Sequence, residues 1–379
     1  MIAYLINELD VRGGTHKQLL KLLDYTADRK IDFFVLTKRV NYQQTYPGFH
    51  RYRDRIYILS EFNHSNLWRR PMDWIQYAYK LRKILKDVKV INVHDNGFEM
   101  FFVTLPDKNI YWQINDLPPC FQTGVFANRI SWRNAIKRFI VRLGVGQAVR
   151  DISVNVSKNK ERVRSCLHRD AKVFYCGIDP LTIQRSNDET LHRFDNYTIH
   201  LLSSGVFFPY RNYETQIHVV KQLIDKNINA KLDIIGATSD TEYEKKIREM
   251  IRVADLQHCI NICGSVDEQE FDRLHKQADL FLFINIDQSW GLAVFEAMSC
   301  GLPVLVSNSV GATEILQDQE NALFVDPTDA ETITSTIIRL MQDHTLYQSI
   351  SDEARKLPEQ YTWDHAYSSQ ILALLLQSA

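Results

Sequence analysis

The stretch DLFLFINIDQSWGLAVFEAMSCGLPVLVSNSVGATEILQDQENALFVDP, residues 279–327, carries the most information in this chain. A buried apolar strand ends at Asn285, a polar loop containing Gly291 follows, and LAVFEAM opens a helix whose first amides lack intrahelical partners. Glu296 lies one turn into that helix on the side of Leu292, where the helix dipole alone already favours a carboxylate. Pro303 then leads into a second apolar strand, and SVGATEIL turns the chain again. Strand, helix and strand in that order are the unit of a parallel α/β sheet.

The same alternation runs through the whole chain. Short apolar, β-branched runs predict strands near 2–7, 31–37, 90–94, 110–114, 152–155 and 172–175, then near 198–203, 231–236, 259–263, 279–284, 303–307 and 322–325. Six strands on each side of the polar, aperiodic stretch 177–196 predict two doubly wound parallel sheets joined by a linker there. A length of 379 residues agrees with two domains at roughly 150 residues each. Open sheets of this kind bind ligands at the carboxyl ends of their strands, so two of them are expected to face each other across a cleft.

Composition narrows the class. With 45% hydrophobic residues and no apolar run near the ~18 needed to span a bilayer, the chain reads as an ordinary globular protein. The opening MIAYLINELD carries Glu8 and Asp10 and no basic region, unlike a secretory signal. Six cysteines are too sparse for a disulfide scaffold, which fits a cytoplasmic enzyme with reduced thiols. The net charge of -1 conceals a division: residues 1–178 hold 30 Lys+Arg and 16 Asp+Glu, the remainder 15 and 30.

The segment QSWGLAVFEAMSCGLPV resembles the retaining nucleotide-sugar glycosyltransferases of family four, which have the GT-B fold and the pattern E-G-F-G-L-x-x-x-E-A-M-A-C-G-x-P-V. Gly291, Leu292, Glu296, Ala297, Met298, Cys300, Gly301, Pro303 and Val304 match. Upstream CGSVDEQEFDRLHKQADLFLF and downstream ENALFVDPTDAETIT extend the likeness, as do the first strand with its glycine loop, SVNVSKNKERV, YCGID and the final YTWDHAYSSQILALL. The resemblance therefore covers nearly the whole chain. It implies an N-terminal, acceptor-side Rossmann-like domain over 1–178, a donor domain over 179–359, and a C-terminal helix over 360–379 that crosses back onto the first domain.

The resemblance also implies roles. Glu296 holds the ribose hydroxyls of the donor, and the amides of Gly291 and Leu292 meet its phosphate or sugar, as a helix N-terminus can. The first Glu of the family pair is replaced by Gln288, followed by Ser289; an amide hydrogen-bonds sugar hydroxyls but brings no negative charge. In GVFFPYRNYE, Gly205 matches the family's G-R-L-x-x-x-K-G, Val206 replaces its Arg, and Arg211 falls on its Lys, where a guanidinium clamps a diphosphate. Retaining transfer from a UDP- or GDP-sugar to a glycan, lipid-linked or small-molecule hydroxyl is the implied reaction. The departures at Gln288 and Val206 leave a second reading open, a weakened sugar-nucleotide-binding homologue that serves as a partner subunit.

In the first half, Gly13 and Gly14 precede a helix, an arrangement that suits either an anion, with Gly14 the expected donor-binding residue, or a tight strand-to-helix turn. Asn115 stands where related enzymes often carry a His that contacts the transferred sugar, and Asp116 follows it; a strand-end turn cap is the plainer account of the pair. His94, beside Asp95, reads as structural. No Asp-x-Asp triplet occurs and no cofactor is expected, so metal independence is the expectation. His258, Cys259 and Cys263 sit on an alternating strand that lacks a fourth zinc ligand.

Basic helical stretches remain. Residues 128–143 interleave Arg129, Arg133, Lys137, Arg138 and Arg142 with Ile130, Trp132, Ile136, Phe139, Ile140 and Leu143, and 66–86 are similar in character. Packing of the apolar stripe on the domain's own sheet is the plainer account of either helix. The charge of the whole half adds a second, attachment to the inner face of an anionic membrane. No nucleic-acid motif accompanies the charge.

Overall fold

The computed structural model describes residues 1–59, 71–121, 132–179, 183, 187–238, 241–286 and 290–377. The chain forms two compact units: Met1–Gly177 together with Trp363–Ala379, and Ile178–Thr362.

In the first unit, β1 (Ile2–Leu9), β2 (Phe33–Val40), β3 (Ile56–Ile58), β4 (Val90–His94), β5 (Asn109–Ile114), β6 (Val149–Val154) and β7 (Lys172–Val173) form a parallel sheet in the order β3-β2-β1-β4-β5-β6-β7. Ile2 of β1 pairs in register with Phe33 on one side and Val90 on the other. The helices are α1 (Gly14–Asp28), α2 (Pro71–Ile84), α3 (Trp132–Ala148) and α4 (Ser157–Leu167), with 3-10 turns at Pro47–Arg55 and Glu99–Thr104.

Right-handed crossovers put α1, which links β1 to β2, on one face of this sheet. Connections stepping the opposite way, from β3 to β7, take the other face. Accordingly Tyr77 and Leu81 of α2, Phe101 and Phe102 of the second 3-10 turn, Val141 and Val145 of α3 and Val163 of α4 share one core with Ala3, Leu5, Ile91 and Trp112.

The second unit places β8 (Thr198–Ser204), β9 (Asn229–Ile235), β10 (Ile260–Gly264), β11 (Leu280–Phe283), β12 (Val304–Ser307) and β13 (Leu323–Val325) in the order β10-β9-β8-β11-β12-β13, again all parallel. Around them run α5 (Asn187–Asp195), α6 (Tyr213–Asp225), α7 (Thr241–Val253), α8 (Glu268–Gln277), α9 (Leu292–Ser299), α10 (Ala330–Gln342) and α11 (His344–Gln360). Full burial on both faces explains why the central strands β11 and β12 are continuous apolar runs, LFLF and VLVS. After α11 a π-helical turn, Trp363–Ser368, and α12 (Ser369–Leu376) pack on α1 of the first unit.

Two expectations change. β3 is a short, exposed edge strand with too few buried residues to stand out in the sequence. Within 177–196, Asn187–Asp195 form a helix instead of a structureless linker. Arg193 anchors that helix: its Nε donates to both carboxylate oxygens of the fully buried Asp279, at 3.0 and 3.1 Å, and Asp279 also accepts from the His200 amide at 2.8 Å. The partner lies 86 residues away, out of reach of a local reading.

Candidate functional site

Each sheet reverses its winding direction once, between β8 and β11 in the second unit and between β1 and β4 in the first. The loops leaving such neighbouring strands diverge and open a crevice at the carboxyl ends.

In the second unit, β8 gives way to a turn, Pro209–Arg211, that folds back on the strand end. Arg211 is only 9% exposed, and a Cβ at Gly205 would stand 2.3 Å from its Cζ, so only glycine admits the guanidinium here. Its Cζ lies 5.1 Å from the Tyr210 ring centroid and 5.8 Å from that of Phe283, whose π-faces favour a cation.

The Ile286 amide donates to the Tyr210 carbonyl at 2.7 Å, which ties the loop after β11 to the turn carrying Arg211. Gly291 enters α9 with a φ of 87°, and a Cβ there would meet Phe283 Cε1 at 2.8 Å. Gly205, Arg211 and Gly291 therefore converge around the ring of Phe283. Among the described residues no side chain caps the start of α9, whose first amides can meet an anion. Trp290 is buried and stacks on Phe295 at 4.9 Å, holding the helix entry. Leu292 and Glu296 are half-buried on the first turns.

From the third loop, Ser309 Oγ donates to the Asn285 carbonyl at 3.2 Å and pairs with Ser307 Oγ at 2.7 Å. Neither this serine brace nor Phe283 as the common wall is visible in the sequence, because both depend on which strands are neighbours. Val206 is half-buried and supplies hydrocarbon where the family pattern has a cation. Gln288 and Ser289, with Asp287, lie outside the described residues, as do 128–131 and 66–70 of the two basic stretches.

In the first unit, Gly13 caps α1 with extended backbone and Gly14 begins it, again without a side-chain cap. His16 Nε2 lies 2.8 Å from the Glu8 carbonyl. Asn115 is buried and turned inward: its Nδ2 donates to Thr15 Oγ1 at 2.7 Å and to Gln18 Oε1 at 3.1 Å. Gln113 Nε2 also donates to Gln18 Oε1, at 2.8 Å, and Asn159 Nδ2 to the Asn115 carbonyl at 2.5 Å. Asp116, next in the chain, is exposed.

His94 is fully buried, with both ring nitrogens lacking hydrogen-bond partners and its ring 6.3 Å from that of Tyr4. Burial, and then the neighbouring His16, lowers its pKa to about 3. Asp95 has the opposite fate: burial, and then the charge of Asp116, raises its carboxyl to about 8. Its backbone carbonyl accepts from Trp112 Nε1 at 2.7 Å. The crevice end of this sheet thus holds a neutral imidazole and a carboxyl of raised pKa beside charged neighbours: Lys38 Nζ donates to the Gly97 carbonyl at 2.6 Å, and Glu99 accepts from the Gly97 amide at 2.5 Å.

Among the described residues no three His, Cys, Asp or Glu side chains converge as a metal site, and no helix is long and apolar enough to cross a membrane. All six cysteines are free thiols; Cys259 is buried and Cys263 half-buried beside Asp233.

Residues 185–357, nearly all of the second unit, match the family model of glycosyl transferases group 1. An uncharacterized glycosyltransferase of Haemophilus influenzae is 21% identical over 380 residues, covering 95% of this chain and 96% of that protein. Another, from Methanocaldococcus jannaschii, is 26% identical over 224 residues, and the match spans only 56% of either chain. In fold, the chain is similar to Anabaena HepE in complex with UDP, with a TM-score of 0.76 over 100% of both chains at 15% identity; a further structure of that protein contains UDP-glucose.

Proposed function

From a second domain that belongs to the group 1 glycosyl transferases, within a GT-B fold, we propose that this chain is a metal-independent, retaining glycosyltransferase. It moves a sugar from a nucleoside diphosphate sugar, UDP- or GDP-linked, to a hydroxyl of a glycan, lipid-linked or small-molecule acceptor in cell-surface polysaccharide or glycolipid assembly. Arg211, buried against Gly205 and walled by Phe283 beside the start of α9, is the observation that carries the reading. A cation shielded from water and flanked by uncapped helix amides suits a diphosphate far better than a surface cation does.

In the proposed step the bond from the sugar's anomeric carbon to the diphosphate breaks, and the acceptor oxygen bonds that carbon on the same face. The acceptor proton passes to the departing phosphate oxygen, so no side-chain base is required. Arg211 and the amides of Gly291 and Leu292 stabilise the charge that collects on the leaving group. Glu296 accepts hydrogen bonds from the ribose hydroxyls, and Gln288 and Ser289 meet the donor sugar. We assign the acceptor to the first unit, where Asn115 and Asp116 stand at a strand end beside His94 and Asp95, which burial disposes to the neutral form, and we assign Gly14, at the start of α1, to donor binding. A cytoplasmic enzyme held at the inner face of a membrane fits that unit's excess of Lys and Arg.

The test is donor-dependent release of nucleoside diphosphate, with and without acceptor, across uridine, guanosine, adenosine and thymidine diphosphate sugars. Release with at least one donor, and an α-configured product from an α-configured donor, is expected. Inversion of the anomeric centre would overturn retention. Donor binding without release from any donor would return the chain to a sugar-nucleotide-binding role.

A further inference from the structure

We infer that the second unit carries a site for a monosaccharide phosphate in a recess between α8 and the strands β8 and β9, apart from the proposed transfer site. The strands set its walls. Leu201 and Leu232 face the core covered by α6, α7 and α10, so side chains one position away project from the other face of the sheet. On that face His200 stands beside Lys231 and Leu202 beside Asp233, in register. α8 covers β8 there through the buried Leu274, whereas Lys231 and Asn261 stay exposed on β9 and β10.

Charged side chains near an uncovered edge strand are ordinarily solvated and keep other chains from pairing with it. Here they border a cavity of about 270 Å³ that His200, Leu202, Lys231, Asp233, Arg273 and Leu274 help to line. That volume is near the lower end of small-molecule sites and suits one sugar ring with its phosphate.

The lining selects the ligand. Arg273 donates from Nε and Nη2 to Glu270 at 2.6 and 2.5 Å and from Nη1 to Gln277 Oε1 at 2.5 Å. These bonds orient the guanidinium and leave two of its five N–H groups for an anion. Lys231 forms no ion pair among the described residues and supplies a second positive charge. Asp233 adds the opposite requirement. Its Oδ1 accepts from Asn261 Nδ2 at 3.1 Å, and Oδ2 can accept from sugar hydroxyls. A bare phosphate would meet repulsion from this carboxylate, and a neutral sugar would leave both cations unanswered. A hydroxylated anion satisfies all three, with Leu202 and Leu274 against the C–H face of its ring.

The floor is held in place. The His200 amide donates to the buried carboxylate of Asp279 at 2.8 Å, and Arg193 Nε binds the same group. Gly205, which admits Arg211, lies five residues further along β8, roughly 16 Å at the rise of a strand. That separates the recess from the cation proposed for the diphosphate.

Isothermal titration calorimetry of the full chain with glucose 6-phosphate, glucose 1-phosphate, inorganic phosphate and glucose, each with and without saturating UDP plus GDP, tests the site. Binding of a sugar phosphate to one site per chain, at least about tenfold tighter than phosphate or glucose and unmoved by the nucleotides, is expected. Lys231→Gln and Arg273→Gln should each weaken it at least about tenfold, and Asp233→Asn should weaken the sugar phosphates while sparing inorganic phosphate. All three side chains are at least partly exposed, so the thermal midpoints without ligand should match wild type. Failure of both sugar phosphates to bind overturns the inference, as do variants that bind like wild type. Displacement by the nucleotides would assign the binding to the transfer site, and inorganic phosphate binding as tightly as the sugar phosphates would remove the sugar; either result overturns it. None of these readouts depends on turnover, so the transfer reading stands or falls separately.

Discussion

At the switch point of the second sheet, a permanently charged guanidinium is walled by Tyr210 and Phe283 and reached only because residue 205 is glycine. At the corresponding place in the first sheet, between β1 and β4, burial holds His94 neutral and raises the Asp95 carboxyl to about 8. Two sheets of one topology are thus prepared for different chemistry. In the proposed reaction the former meets the diphosphate and the latter the sugar hydroxyls, which call for hydrogen bonds.

Arg211 is where this contrast is most exposed to failure. Replacing it with alanine is expected to lower kcat/KM for donor turnover about 100- to 1000-fold, the loss typical of a donor aimed at transition-state charge. Circular dichroism and thermal unfolding on the same preparation separate this loss from misfolding. Gly205→Ala reaches the same cation indirectly: the new methyl would overlap the guanidinium, and its displacement should cost turnover up to about 100-fold with Arg211 still present. Normal kinetics in the Gly205→Ala variant would show that the position of the cation is immaterial. Glu296→Ala should weaken donor affinity about tenfold, through lost charge-assisted hydrogen bonds, when binding is followed by calorimetry.

At the first switch point the probe is pH. Asp95 holds its proton to about 8 when folded against an ordinary value of 3.8, so the native state binds more protons between those limits and stability falls as pH rises through them. His94 titrates near 3 when folded against 6.5 ordinarily, so the unfolded state binds more protons in that window and stability falls as pH drops through it. Together the pair favours a stability maximum between about pH 4 and 6.5. Urea midpoints across pH should lose their alkaline decline in Asp95→Asn and part of their acid decline in His94→Gln. Unchanged profiles would show that the two groups titrate normally.

Most strands were legible because the buried strands of a parallel sheet are rich in apolar, β-branched residues, and twelve predicted runs coincide with strands of the two sheets. The local geometry around the proposed donor motif was legible for a related reason: strand, Gly291, helix start and Glu296 are close together in the chain, and the structure places them as their spacing predicts. The edge strand β3 and helix α5 were not, because one is exposed and the other depends on Arg193 reaching Asp279. Asn115 shows the same limit. Its place at a strand end is visible in the sequence, but its inward bonds to Thr15 and Gln18 run 100 and 97 residues back along the chain.

Local order and burial pattern are written along the chain, and they were enough to give two parallel sheets, the resemblance of residues 279–327 and the opposite charge of the two halves. The folded molecule was needed to show which residues share a wall with Arg211, which carboxyl keeps its proton, and which side chains of β8, β9 and α8 border one recess. Those three outcomes depend on neighbours distant in the chain, since exposure, electrostatic environment and close approach belong to a point in space and not to a position in the sequence.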